Sequence, residues 1–396
     1  GVTAGNITSL AFDVTAADPA VYDYIDINMK MVTYTQVNGT FEPVNPNNYL
    51  HTNFSIASSG EKIFLYDNSQ NLLSSLQVGV SDLNNSTGLK PDASTNVVLF
   101  ATATPNSTNN GSQVYMGYAQ APVFSTASGI FTQPITATIT NPNVGPTMVR
   151  YTTDGSDPTS TSSLYNGTPI SINQSTVVKA RAFMTGYIPS TTTTASYLFN
   201  VDSSVPIISV VTDNNNLYGG SGIFDNWWTD WQKPAYVDYF DTSNNLIFSQ
   251  HTAIQMDGGA GGSRSQPQHS FRLELSNGTL GDGSINYQVI PDRPDRYKYS
   301  NFYLRNGSNQ YLVLPYKDAA QEEMMCGKTN CYYSAWRPVS VYLNGAYFGL
   351  YEMREKFDDE YFVENEGADK DSVSILSASY WYGGMLRAVI GSTDSF

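Results

Sequence analysis

The chain has 396 residues, 14% of them charged, and a formal net charge of −15 at pH 7. This length suits two or three domains. The acidic balance excludes bulk binding to nucleic acid or to anionic membranes, because both need clustered Lys and Arg. The sequence has no apolar run long enough to cross a bilayer, and its high Ser, Thr, Asn and Tyr content favours β-rich domains.

Residues 1–120 are predicted to form a small β-sandwich. The stretch KIFLYDNSQNLLSSLQVG, residues 62–79, reads as an apolar strand, a polar turn and a second strand, which indicates a hairpin. Turn-rich segments on both sides of it fit the short strands of a sandwich. Further on, TPNSTNNGSQ, residues 104–113, lacks apolar periodicity and indicates a linker to the next domain.

Residues 121–200 are predicted to form a second, immunoglobulin-like β-sandwich, because short strands here alternate with Gly, Pro, Asn and Asp turns. In residues 177–182, Val, Lys and Arg at odd positions alternate with Val and Ala at even positions. This period of two predicts a strand with one buried face. The segment DGSDP, residues 154–158, is interpreted as a turn in preference to a calcium loop, because it lacks the alternating oxygen ligands.

Residues 201–396 are predicted to form an α+β domain. Two helices join the strands: residues 314–325 contain helix formers after a proline, and residues 357–367 begin with acidic residues and end on glycine. The glycines of GGAGGSRSQPQHSFRLEL, residues 258–275, are typical of a loop around phosphates. Cys326 and Cys331 are compatible with a small disulfide loop or with two free thiols.

Three parts of the chain resemble known families. The third region resembles the CotH (spore coat protein H) kinase family through RPVSVYLNGAYFGLYEMREKFDDEYF, residues 337–362, together with the glycine-rich stretch, FYLRNGSN and YKDAAQEEM. The middle region is similar to the C-terminal immunoglobulin-like module of chitobiases and hexosaminidases through YTTDGSDPT, VVKARAF and GYIPS. Residues 1–120 resemble a lamin-tail β-sandwich through NFSIASSGEKIFLYDNSQNLL and STGLKPD. This order of domains is typical of secreted and surface proteins of bacteria.

The CotH resemblance implies an atypical protein-kinase fold that transfers the γ-phosphate of ATP to protein Ser or Thr with Mg²⁺. It implies a phosphate-binding loop of four glycines and a charged donor: Gly258, Gly259, Gly261, Gly262 and Arg264. The family has a lysine one or two residues after the proline of this loop, where this sequence has Gln268 and His269. A histidine there is mostly neutral at pH 7 unless a carboxylate or phosphate faces it.

The same resemblance implies an acidic partner on the first predicted helix, Glu323, and a charged pair beside the nucleotide pocket, Glu355 and Lys356. From the residues alone, Glu323 is equally compatible with a solvated helix face, and Glu355 and Lys356 with a surface pair at a strand end. The family's Asp and Asn metal ligands lie further downstream. No metal ligand is therefore predicted, and the kinase-like domain is expected to be truncated at its C-terminus.

The sequence thus predicts a multidomain protein of two all-β sandwiches, residues 1–120 and 121–200, followed by an α+β atypical protein-kinase-like domain, residues 201–396. One function is that of a secreted or cell-surface pseudokinase with a structural or adhesive role, favoured by the missing loop lysine. The other is an active kinase that uses ATP and Mg²⁺ on extracellular or surface proteins. Expected partners are other surface proteins or further copies of the chain; neither nucleic acid nor a membrane span is expected.

Overall fold

The computed structural model describes residues 60–66, 69–79, 85–92, 94–104, 107–259, 263–326, 328–378 and 386–391. The chain divides into two compact units. The first contains residues 1–120, 143–147 and 183–190, and the second contains the remaining residues. The boundaries proposed for three domains stay a prediction.

The first unit contains the predicted hairpin. Its described strands form two antiparallel pairs, β1 with β2 and β3 with β4: β1 (Glu61–Tyr66), β2 (Leu72–Val78), β3 (Ser86–Leu89) and β4 (Val97–Phe100). Glu61 lies opposite Val78, and Ile63 is buried. The hairpin prediction is confirmed. The lamin-tail-like sandwich stays a prediction, because the part of that assignment before Gly60 lies outside the described residues.

The second unit begins with a β-sandwich. Its strands, in chain order, are β5 (Val123–Phe124), β6 (Gly129–Phe131), β7 (Ile135–Ala137), β8 (Ile139–Thr140), β9 (Thr147–Thr152), β10 (Ser163–Leu164), β11 (Ile170–Ile172), β12 (Thr176–Met184) and β13 (Thr193–Phe199). One sheet has the order β10-β9-β12-β13-β6, and β11-β7 and β5-β8 form two smaller sheets. Ala137 and Ile172 of the small sheet pack against Val178 and Tyr197 of the large sheet, which makes the sandwich core.

The prediction of one buried face for residues 177–182 is wrong for strand β12. Val177 and Lys179 on one face are buried together with Val178 and Ala180 on the other. Lys179 is buried because its ammonium group donates to the carbonyl of Gly155 and forms an ion pair with the Asp157 carboxylate. A long side chain of this kind can bury its stem where its charged end finds partners.

The rest of the second unit is built around a closed barrel. Its elements are β14 (Ile207–Val211), α1 (Asn214–Leu217), β15 (Gln232–Phe240), β16 (Leu246–Met256), β17 (Phe271–Glu274), β18 (Ile285–Asn286), β19 (Lys298–Tyr299), β20 (Asn301–Arg305), α2 (Lys317–Met325), β21 (Trp336–Leu343), β22 (Ala346–Arg354), α3 (Asp359–Glu366), β23 (Ile375–Ala378) and β24 (Leu386–Ile390). This part of the chain also contains two 3-10 turns, Ser308–Gln310 and Lys370–Ser372.

The barrel has the strand order β14-β15-β16-β17-β20-β22-β21, and a parallel pairing of Ile207 with Ser340 closes it. The other barrel pairings are antiparallel. Alternating apolar side chains such as Ile254, Leu273 and Met353 fill the interior. The described chain is therefore mostly β, and helices are short additions to the barrel.

Both predicted helices are present. Helix α2 begins at Lys317, three residues after the predicted start. Helix α3 is capped by Asp358, whose side chain accepts a hydrogen bond from the Tyr361 N–H, and it ends at Gly367 with φ of 66°. Within the described ranges, no helix combines the length and the apolar character that a bilayer span requires.

Candidate functional site

The outer surface of four barrel strands carries charged and polar side chains in register. Along β17, Phe271 and Leu273 point into the barrel core, so Arg272 and Glu274 point outward. Cross-strand pairing places Gln255 opposite Arg272, Arg272 opposite Tyr303, and Tyr303 opposite Arg354. We call this surface of β16, β17, β20 and β22 the ionic face; its members are Gln255, Arg272, Glu274, Asn301, Tyr303, Arg305, Glu352 and Arg354.

Lys356 belongs to one end of the ionic face. Its ammonium group lies 3.3 Å from a Glu274 carboxylate oxygen and 3.4 Å from an Asp358 oxygen. The same Glu274 oxygen is 2.8 Å from Nε of Arg272, whose Nη2 donates to Gln255 at 2.7 Å. Lys356 is thus mostly buried in a chain of charged contacts, and it is not a solvated pair at a strand end.

Helix α2 packs its acidic side chains onto the ionic face. Asp318 accepts hydrogen bonds from Arg305 at 2.6 Å and from Arg354 at 3.1 Å. Glu322 forms a second ion pair with Arg354. Arg354 is itself buried, with 3% of its side chain exposed, so two carboxylates of the helix compensate one buried guanidinium. Ion pairs therefore hold this helix against the barrel.

Of the two adjacent glutamates of α2, Glu322 is the one in the ion pair. Glu323, the residue expected to be the acidic partner, accepts a hydrogen bond from the indole N–H of Trp336 at 3.1 Å. The two glutamates thus have different partners, as neighbouring positions on a helix do. Asp318 and Glu322 are four residues apart and share one helix face, whereas Glu323 is turned about 100° away from Glu322.

This difference between the glutamates can be measured. Glu322→Ala should lower the free energy of unfolding by about 1.5–3 kcal/mol, because it removes a charge-assisted hydrogen bond from buried Arg354. Glu323→Ala, the matched control one position along the helix, should change it by less than about 1 kcal/mol. Urea denaturation of both variants gives the comparison, and equal losses would contradict the assignment.

Glu352 is a buried carboxyl group on the ionic face that the sequence analysis missed. Only 3% of the residue is exposed, and neither side-chain oxygen has a hydrogen-bond partner. Burial raises the pKa of Glu352 to about 8, with a further increase from Asp318; Arg354, 3.6 Å away, and Arg305 oppose the shift. Its only sequence signal is the period of two that it shares with Arg354.

The glycine-rich loop follows β16 and returns to β17. Gly258 has φ of 94°, and a Cβ atom there would lie 2.0 Å from the Ser263 hydroxyl, so this position requires glycine. Gly259 has open space on its Cβ side. Gly261 and Gly262, also predicted to bind phosphate, lie outside the described residues.

Arg264 ties this loop to a neighbouring segment. Its Nε donates to the Gly258 carbonyl at 2.7 Å, Nη1 donates to the Thr229 carbonyl at 3.2 Å, and Nη2 donates to the Asp230 carboxylate at 2.9 Å. Each guanidinium nitrogen thus has a protein acceptor. The side chain predicted to contact a phosphate acts here as a brace of the loop.

His269, at the position of the family's lysine, faces the barrel interior. Its Nδ1 donates to the Arg264 carbonyl at 2.6 Å, and its ring lies 4.4 Å from the ring of Phe224. Burial lowers the pKa of His269, although the hydrogen bond to Arg264 opposes this. His269 is therefore neutral at pH 7. His269 lies two residues before β17, and its contact with Phe224 places the ring next to the barrel core.

Buried Asn306 holds the second half of the loop and is a second functional residue that the sequence did not indicate. Its amide nitrogen donates to the carbonyl groups of Ser263 and Gln268, and its oxygen accepts from the Ser270 hydroxyl at 2.7 Å. The side chain of Gln268 donates to the Leu350 carbonyl at 2.8 Å. The NGSN stretch, residues 306–309, follows β20, and nothing in its sequence indicates this contact.

Glu355 is the centre of a separate buried cluster. One carboxylate oxygen accepts from Arg296 at 2.6 Å and Asn365 at 3.3 Å, and the other accepts from Arg293 and from the Ala335 N–H, both at 3.0 Å. The guanidinium of Arg296 also lies over an aromatic ring, that of Tyr299, at 4.4 Å. Glu355 thereby joins the segment before β19 to β21 and α3.

The predicted site residues therefore fall into separate groups. The described loop residues lie together, and among the hydrogen bonds and ion pairs of the described chain none connects Gly258, Arg264 or His269 to the predicted catalytic residues, Glu323, Glu355 and Lys356. In the described ranges no group of three or more His, Cys, Asp or Glu is arranged to hold a metal. Cys326 and Cys331 are free thiols.

Fold and site together define a β-sandwich module followed by a barrel with a glycine-rich loop and an ion-paired helix. Residues 126–194 match the family model described as chitobiase/beta-hexosaminidase C-terminal domain, and residues 254–388 match the CotH kinase protein model. The predicted order of these two parts is confirmed, and the second match indicates a CotH-type kinase-like protein. A search of curated proteins found no match. The lamin-tail resemblance stays a prediction.

Proposed function

We propose that the barrel with its glycine-rich loop is an α+β kinase-like domain that has lost nucleotide chemistry, and that the protein has a structural or adhesive role at the cell surface. The CotH match and the order of the two matched parts support the kinase-like ancestry. The low content of charged residues and the sandwich module support a secreted bacterial protein. Its partners are then other surface proteins or further copies of the chain.

The observation that carries this proposal is the state of His269. A kinase needs a fixed cation at the phosphates, to offset the charge of the transferred group. Here the lysine position holds a neutral imidazole whose N–H is already bonded to the Arg264 carbonyl. A neutral ring packed on Phe224 supplies no such charge.

The other charged candidates fit ATP and Mg²⁺ no better. Arg264 braces the loop, and Lys356 lies between Glu274 and Asp358. Glu355 is shared by two arginines, so it is not available to orient a lysine or a metal. These side chains form ion pairs and hydrogen bonds between different elements of the barrel. Such contacts stabilise the fold, which supports a structural role for the domain. We derive no phosphoryl-transfer step from them.

The second candidate function is an ATP- and Mg²⁺-dependent kinase of extracellular or surface proteins. It is favoured by the CotH match and by the open space beside Gly259, where backbone N–H groups could approach a phosphate. Arg264 would then have to exchange its bond to Asp230 for a phosphate contact.

Calorimetric titration of the whole chain with ATP and Mg²⁺ separates the two functions. We expect no saturable heat at ligand concentrations up to about 1 mM, which would detect a binding free energy of about −4 kcal/mol.

Arg264→Ala should lower the melting temperature without any effect on nucleotide binding, because it removes three hydrogen bonds of the loop. Saturable binding that Arg264→Ala abolishes and the control Arg150→Ala in the sandwich retains would overturn the loss of nucleotide chemistry and favour the kinase.

A further inference from the structure

Beside the candidate site, a four-residue block on the outer surface of β15 and β16 faces the sandwich. Tyr236 pairs with His251, and Asp238 pairs with Ser249, so the four side chains form a square on one face of the two strands. Val237 and Tyr239, on the opposite face of β15, lie in the barrel core. We call Tyr236, Asp238, Ser249 and His251 the joint block.

Strand β13 of the sandwich packs against this surface. The Ser209 hydroxyl of β14 donates to the Ser196 hydroxyl of β13 at 2.9 Å. Next to this bond, Leu198 of β13 packs with Phe240 of β15 in a small apolar cluster. The sandwich and the barrel thus meet along β13, with an apolar part and a polar part side by side.

Asp238 is the buried carboxyl group of the polar part. It is fully buried; one oxygen accepts from the Ser249 hydroxyl and the other has no hydrogen-bond partner. The hydroxyl groups of Ser196 and Ser128, from the sandwich side, also face it, and the phenol groups of Tyr197 and Tyr236 lie near. Within the described chain no Lys, Arg or His forms an ion pair with Asp238.

His251 is the basic group of the same block. Its Nδ1 lies 3.0 Å from Asp282, and a hydrogen bond connects the ring to the backbone of Thr192, just before β13. Tyr236 packs edge-on against the ring at 5.0 Å, and Lys179, paired with Asp157, is the cation on the sandwich side. A protonated imidazole can donate to Asp282 and Thr192 together, whereas a neutral ring has a single N–H.

We propose that the joint block is a proton-sensitive joint, which holds the sandwich against the barrel more tightly in mild acid than at neutral pH. A proton on Asp238 neutralises a buried charge that has no cation. A proton on His251 completes the bridge between Asp282 and the backbone at Thr192. The Asp238 proton is taken up on the barrel surface that β13 covers, so opening the joint releases it.

The pKa shift of Asp238 has the matching sign. Burial raises the pKa of Asp238 to about 6, against the hydrogen bond from Ser249 and the facing hydroxyl groups of Ser196 and Ser128. A raised pKa in the closed state means that the closed state binds more protons, so its stability falls as pH rises, between about pH 4 and 6. The hydrogen bond that raises the pKa of His251 comes from Asp282 on the barrel, so it persists when the joint opens.

Hydrogen exchange of the whole chain tests the joint. After correction for intrinsic exchange rates, amide protection in Thr193–Phe199 should fall on the order of tenfold between pH 4.5 and 7.5, since one pKa unit corresponds to a tenfold change. Asp238→Asn keeps the shape without the charge and should abolish this fall. His251→Gln should retain it, because the Asp282 bond that raises the pKa of His251 lies on the barrel and persists when the joint opens. Protection in Asn301–Arg305, on the far side of the barrel, is the internal reference.

A matched control lies at the end of the same strand. Asp241 is bonded to Asn245 and Ser243, which lower its pKa, so it does not titrate between pH 4.5 and 7.5. Asp241→Asn should keep the pH dependence of the wild type. The proposal is overturned if protection of β13 is constant or rises with pH in the wild type, or if Asp238→Asn retains the wild-type dependence. Ser249→Ala provides a second test should Asp238→Asn fail to fold. It removes a hydrogen bond that lowers the pKa of Asp238, so the loss of protection in β13 should move to higher pH.

Discussion

Replacing Glu355 by alanine should lower the free energy of unfolding by about 3–5 kcal/mol, because it leaves two partly buried arginines without their shared counter-ion. Arg296 is the more critical of the two, since only 5% of its side chain is exposed. The Ala335 N–H and the Asn365 amide lose acceptors in the same variant. The measurement is urea denaturation at pH 7, followed by tryptophan fluorescence and circular dichroism.

Glu364→Ala is the control for this variant. Glu364 also pairs with a basic residue, Lys298 of β19, but 49% of that side chain is exposed. An exposed ion pair contributes less than about 1 kcal/mol. If Glu355→Ala and Glu364→Ala had the same free energy of unfolding, the Glu355 cluster would not stabilise the fold. A role for Glu355 in ligand binding would then be favoured.

Glu352→Gln should stabilise the protein at high pH, which is the reverse of the usual effect of a buried substitution. The folded-state pKa of about 8 lies above the ordinary value of 4.5, because the carboxyl group is buried. The folded state therefore binds more protons between these values, and wild-type stability falls as pH rises from about 5 to 9. Glutamine removes this contribution, on the order of 5 kcal/mol at 1.4 kcal/mol per pKa unit.

Melting curves between pH 5 and 9 measure this effect. The difference in melting temperature between Glu352→Gln and the wild type should grow steadily with pH, while the exposed control Glu366→Gln should give a constant difference. A difference that does not change with pH would mean that Glu352 is ionised in the folded protein. The profile is distinct from that of Asp238, whose contribution ends near pH 6.

Local patterns in the sequence were sufficient for individual elements of the fold. The hairpin of residues 62–79 and helix α3 follow from alternation, turn residues and caps, all of which are local. The closure of the barrel is a long-range pairing of Ile207 with Ser340, and no local pattern encodes it. The second buried face of β12 likewise depends on Asp157, a partner more than twenty residues away from Lys179.

The sequence indicated single side chains of the candidate site, and the contacts of each of them depend on the rest of the fold. The replacement of lysine by His269 is visible in the sequence, but its orientation toward Phe224 depends on a loop from another part of the barrel. Glu322 and Glu323 are chemically identical neighbours, and the rotation of α2 on the barrel decides which of them meets Arg354. The period of two that Glu352 shares with Arg354 does not reveal its burial, because that burial comes from α2 and the neighbouring strands together.

The parallel pairing of β14 with β21 also affects how the chain folds. Strand β14 obtains its second neighbour only when a strand about 130 residues later has been synthesised. Until then one edge of β14 is unsatisfied, and its apolar residues are available to other strands. Contacts of such long sequence separation slow folding. We therefore expect the barrel to be the slow step of folding, and its β14 edge to be where nascent chains are most prone to associate.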